Sequence, residues 1–202
     1  SAEMRFFNAP DRRRLSAEQI VDALHAAHTR GVTHRDLKPG KYYVEIGGVG
    51  REEFGGAEVN DILALIPLLE QLDEADASRM GIFGWSRGGM MTYLALKATD
   101  RFKAAIVGAG LADVAAGIEQ RPDMEAHVYS ELIPGWEDPD TRAKAISDRS
   151  AVQWANALPE NTPILILHGT GDWRVDPTHA LDMARQLLTH KRPYRLVMFE
   201  GG

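Results

Sequence analysis

The sequence predicts an α/β domain, a mostly parallel sheet with helices on both faces. Three observations predict it. Short, wholly apolar runs recur, clearest at Ile164 to Leu167, as expected of strands buried on both faces. Segments with helical spacing lie between them, such as Thr178 to His190 with Leu181, Ala184, Leu187 and Leu188. The two signals alternate along the chain, which implies parallel strands joined by crossover helices.

In chain order, a helix is expected to open at Ser16, after the charged Asp11–Arg14 cluster. Glu58 to Leu72 carries a helical stripe, Val59, Ile62, Leu63, Ile66 and Leu69, which Pro67 should kink. Arg79 to Trp85 reads as a strand, Gly88 to Ala98 as a helix and Phe102 to Val107 as a second buried strand. Leu111 to Leu158 is irregular and helical, with Trp136 and Trp154 as candidates for a pocket wall or for the core. Tyr194 to Phe199 reads as the last strand.

Residues 84–89 are Gly-Trp-Ser-Arg-Gly-Gly, the pattern Gly-x-Ser-x-Gly between a strand and a helix. That context turns the pattern into a nucleophile elbow, a sharp turn that lifts the Ser86 hydroxyl above the sheet edge. The backbone passes close there, so Gly84 and Gly88 are expected to lack a Cβ for steric reasons. The Arg87 N–H would sit at a helix N-terminus, suited to stabilising an oxyanion. The apolar run Ile164 to Leu167 leads into a loop bearing Asp172 and Arg174. Carboxyl ends of parallel strands are where such sheets place their sites. An acid there, after the serine in sequence, fits the hydrolase order Ser, Asp, His. The alternative for Asp172 is a plain turn residue.

The stretches Ile82–Tyr93, His168–Val175 and Tyr194–Gly202 resemble the nucleophile region, the acid loop and the last core strand of the prolyl oligopeptidase family of serine peptidases. The resemblance covers roughly Gly50 to Gly202. It implies an α/β-hydrolase fold, Ser86 as nucleophile, Asp172 as acid and a peptide substrate. It also implies substrate or oxyanion contacts from Arg87, Trp85 and Arg174. For Arg174 the alternative is a surface ion pair. A small ester is the other substrate class, because both reactions use the same triad. The family's catalytic histidine follows shortly after the Glu200-Gly-Gly stretch. None of His25, His28, His34, His127, His168, His179 and His190 holds that position. A serine without its base is a weak nucleophile, so the chain as written is expected to be crippled. A non-catalytic fusion remnant is the reading from another class.

Residues 19–41, with His34-Arg-Asp-Leu-Lys-Pro39, resemble the helix and catalytic loop of a protein kinase. Lys41 replaces the metal-binding Asn, and no Asp-Phe-Gly follows, so no kinase activity is expected. Gly47–Gly50 lacks the Lys-Ser or Lys-Thr pair of a phosphate loop. The expected organisation is a kinase-like segment, 1–46, that is not an independent domain, then a partial hydrolase domain, 47–202. That hydrolase would lack its early strands and its carboxyl-terminal end, and an open sheet edge would make it prone to associate. Tyr42 and Tyr43 are read as strand or packing residues, with an oxyanion role as the alternative.

Composition agrees with a globular chain of 202 residues, 44% hydrophobic and 26% charged. No apolar run approaches the roughly 20 residues that cross a bilayer, and no signal peptide stands out, so a soluble, cytoplasmic chain is expected. Cysteine is absent, which excludes disulfides and thiolate metal sites. The net charge of −6 argues against a nucleic-acid partner. No cofactor or metal is expected.

Overall fold

The computed structural model describes residues 34–37, 42–44, 52–71 and 76–201. The predicted helix at Ser16 and the Asp11–Arg14 cluster lie outside these residues. Of the stretch expected to be kinase-like, His34–Leu37 forms strand β1, paired antiparallel with β2, Tyr42–Val44.

The main sheet has four parallel strands, β3 (Met80–Trp85), β4 (Phe102–Gly108), β5 (Ile164–Gly169) and β6 (Tyr194–Phe199), in that spatial order. All four were predicted within a few residues. Helix α1 (Val59–Leu69) ends three residues before its expected limit, and Pro67, in its last turn, lacks the N–H that would bond the Leu63 carbonyl. Helix α2 (Arg87–Ala98) follows β3 through a single residue, Ser86. Helix α3 (Val114–Gln120) starts just after β4, with Asp113 capping it through Ala115 and Ala116 N–H groups. Helix α4 (Pro139–Arg149) is capped by Asp138, and helix α5 (Thr178–Thr189) joins β5 to β6.

The register aligns Ile82, Ala105, Ile164 and Tyr194 in one row, and Gly84, Val107, Ile166 and Leu196 in another. Rows of one face pack against Tyr93 and Leu96 of α2 and Met183 and Leu187 of α5, forming the main core. Each such buried side chain contributes about 1.5–3 kcal/mol by removal from water. A second cluster, with Phe54, Met90, Tyr129 and Trp136, sits over the amino end of α2. Trp136 and Trp154 are 4% and 8% exposed, so both are core residues rather than pocket walls. Trp154 donates to the Ser147 carbonyl at 3.1 Å, which satisfies its indole N–H. On the opposite sheet face, Phe83 and Trp85 are 62% and 57% exposed. Helix α5 buries His179, Ala180, Met183, Ala184 and Leu187, while Leu181 and Leu188, expected inside, face solvent.

Candidate active site

Ser86 occupies φ 57°, ψ −120°, between the last residue of β3 and the first of α2. A side chain at positive φ is strained, and such strain persists only where its surroundings enforce it. Here the Ser86 N–H donates to the Gly108 carbonyl at 2.8 Å, and the Ser86 carbonyl accepts from Gly89 N–H at 2.9 Å. Gly84 is obligatory: a Cβ on it would lie 1.9 Å from the Gly88 carbonyl oxygen. The expectation for Gly88 is corrected. A Cβ there meets nothing within 4 Å among the described residues. The second crowded position is Gly89, where a Cβ would lie 2.6 Å from Gly110 Cα. Trp85 lies over Gly108, whose added Cβ would meet its ring at 2.0 Å.

Arg87 is the first residue of α2, so its N–H has no intrahelical partner and carries the positive end of the helix dipole. Its side chain turns away into ion pairs with Glu52 and, at 3.0 Å, Glu58, and its guanidinium lies 4.9 Å from the Phe54 ring centroid. Glu58 also accepts from the Glu53 and Gly56 N–H groups at 2.9 and 2.8 Å. Buried Arg149 donates to the Phe54, Glu53 and Ala145 carbonyls at 2.9, 2.8 and 3.1 Å. Burial holds its pKa below the usual arginine range. Together these contacts fasten residues 52–58 to the amino end of the serine helix through Arg87 and to the end of α4 through Arg149.

Asp172 follows β5. Its Oδ1 accepts from Arg174 and Val175 N–H groups at 2.9 and 3.1 Å, so the turn expected of an Asp is made. Oδ2 accepts no hydrogen bond among the described residues; it lies 3.7 Å from His168 Nε2. His168 is fully buried, with Nε2 2.8 Å from the Val175 carbonyl, a contact that orders the acid loop. Its Nδ1 has no partner among the described residues. The loop is stitched to the end of β6 by Thr170 N–H to Phe199 O at 2.8 Å and Gly171 N–H to Gly201 O at 2.9 Å.

The sheet brings Ser86 and Asp172 to the same edge. Trp85, Gly108 and Leu167 share one row, so β4 alone separates the strands that carry serine and acid. The described histidines are placed elsewhere. His179 is bound to Gln120 and to Asp113 N–H, burial lowers its pKa, and His190 ends α5. His127 is exposed, in the π-helical segment Glu125–Tyr129. No cluster of three or more metal-binding side chains occurs among the described residues. None of the described helices is long and apolar enough to cross a membrane.

Sequence reasoning did not single out Trp173. It is 74% exposed, with Arg174 Cζ 5.1 Å and Arg121 Cζ 5.6 Å from its ring centroid. An exposed tryptophan directly after the acid was the available signal.

Residues 39–202 match the sequence profile described as the prolyl oligopeptidase family. The peptidase YtmA of Bacillus subtilis is 27% identical over 73% of this chain and 56% of its own length. Dipeptidyl peptidase 8 of Mus musculus is 31% identical over 84% of this chain and 18% of its own. A puromycin-hydrolysing peptidase of Mycobacterium tuberculosis superposes with TM-score 0.63 at 32% identity, covering 75% of this chain and 22% of that one. The chain therefore spans about half of one curated relative and under a fifth of the other.

Proposed function

The chain belongs to the prolyl oligopeptidase family, and from that premise we propose that it carries the nucleophile and acid of a serine peptidase cleaving peptide bonds by acyl transfer. One observation carries the reading: the strained Ser86 turn opens a helix on the same sheet edge as an aspartate with one carboxylate oxygen unused.

Ser86 Oγ attacks the substrate carbonyl carbon and gives its proton to a base. The oxyanion accepts from the Arg87 N–H, which needs no reorientation when charge develops. The amine leaves with the proton, and water then hydrolyses the acyl-enzyme. Asp172 orients the base, a histidine donating to Oδ2. Two strand spacings, about 10 Å between backbones, leave room for one imidazole between the two side chains. By family resemblance that histidine follows the Glu200–Gly202 stretch, and none of the described histidines fills the position. We place Trp85 and Arg174 on substrate, Arg174 through a backbone carbonyl.

Fluorophosphonate labelling, read by intact mass on the chain and on Ser86→Ala, tests this. Circular dichroism establishes that both fold. Labelling that needs Ser86 and rises with added imidazole supports an aligned serine awaiting its base. A folded chain that stays unlabelled with imidazole overturns the reading. Turnover of a p-nitrophenyl ester without any peptide cleavage would favour the esterase alternative.

A further inference from the structure

Trp173 is the most exposed large hydrophobic side chain among the described residues, and it stands beside Asp172. Two cations border its ring. Arg174 has no acidic partner among the described residues, while Arg121 binds Asp123, with Nη2 at 2.6 Å from Oδ2. Arg121 is not a loose surface residue. Its N–H caps α3 by donating to Gly117 O at 2.9 Å. The preceding Gln120 reaches His179 Nε2 at 3.0 Å and Thr178 Oγ1 at 3.3 Å, which bolts the end of α3 to the start of α5. Helix α3 springs from the end of β4, the strand between serine and acid. The guanidiniums thus flank the exposed ring that follows the acid, in a chain of net charge −6.

Resting on the peptidase reading, we propose that Arg121, Trp173 and Arg174 form a subsite for a carboxylate side chain of the substrate, giving a preference for acidic peptides. The ring holds both guanidiniums by cation–π attraction, which orients them before substrate arrives. A carboxylate replaces no existing ion pair on Arg174, whose five N–H donors can serve a backbone carbonyl as well, and competes with Asp123 for Arg121. Guanidinium forks match carboxylate geometry, and charge-assisted bonds exceed neutral ones. Solvent at the rim keeps the gain modest.

Calorimetric titration of the Ser86→Ala chain with acetyl-Ala-Glu-Ala-amide and its Gln counterpart tests the subsite. At about 50 mM salt, where screening is weak, the Glu peptide should bind about three- to tenfold tighter. Arg174→Gln should abolish the preference and Arg121→Gln reduce it. Asp123→Asn, which frees Arg121, should increase it, an effect that mere structural support would not produce. Equal affinities, no binding of either peptide, or a preference that survives both arginine changes would overturn the proposal. Because binding is read without turnover, discrimination by a chain that never labels at Ser86 would sink only the peptidase reading. Ser86-dependent labelling with equal affinities would sink only the subsite.

Discussion

The two glycines of Gly-x-Ser-x-Gly are physically unequal, and substitution should expose it. An alanine at 84 would place its Cβ 1.9 Å from the Gly88 oxygen, 2.3 Å from the Gly88 carbon and 2.5 Å from Thr92 Oγ1. Real Cβ atoms essentially never come under 3.0 Å, so strand and helix must part by about 1 Å. The obstacle is backbone, which cannot rotate away as a side chain can. Overpacking of this kind costs about 3 kcal/mol, at the upper end of the usual range. In a chain of this size that lowers Tm by about 6–12 °C. Gly89→Ala, blocked by Gly110 Cα at 2.6 Å and Val107 Cγ1 at 3.0 Å, should behave similarly. Gly88→Ala meets nothing within 4 Å among the described residues and sits at a helical position, so stability should change by no more than about 0.5 kcal/mol, or rise slightly. Urea unfolding followed by far-ultraviolet circular dichroism gives all three. A Gly88→Ala loss equal to that of Gly84→Ala would refute the argument.

Ser86→Gly should stabilise the fold by about 1 kcal/mol while abolishing fluorophosphonate labelling, because it removes the side chain strained at φ 57°; a lower urea midpoint would contradict this. Arg149→Met leaves three carbonyls without their donor and should cost about 3 kcal/mol, with faster amide exchange at residues 53–56. Burial holds His179 below its ordinary 6.5 against the nearby carboxylates of Asp113, Asp176 and Asp182, with His168 also lowering it. The unfolded chain therefore binds more protons below about pH 6.5, and this contribution to stability, full above that pH, is lost as pH falls towards the folded pKa. Urea midpoints at pH 8, 6 and 5 should decline, and His179→Gln should flatten the decline; an unchanged slope would refute the assignment.

What the sequence made legible was local. Ile164 to Leu167 announced a buried strand because no polar residue interrupts it, and the Ser86 turn followed from a strand and helix pressed against one glycine-flanked serine. What it hid depends on residues distant in the chain. Arg87 meets Glu52 and Glu58 across 35 and 29 positions, so no spacing rule could show that its side chain serves a loop rather than an anion. Leu181 and Leu188 looked like a core stripe, yet the face that packs is chosen by His179, which finds partners on α3 and on the loop before it. The same distinction explains how the serine keeps its strained backbone. Gly84, inside the motif, allows strand β3 and helix α2 to close on each other, and Gly89, one residue past it, allows α2 to approach Val107 and Gly110. Gly108 and Gly110, at the end of the neighbouring strand, accept the Trp85 ring, supply the carbonyl for the Ser86 N–H and admit the helix backbone. The nucleophile turn is thus held by two segments, and its strain is enforced from β4 as much as from the pattern that reveals it.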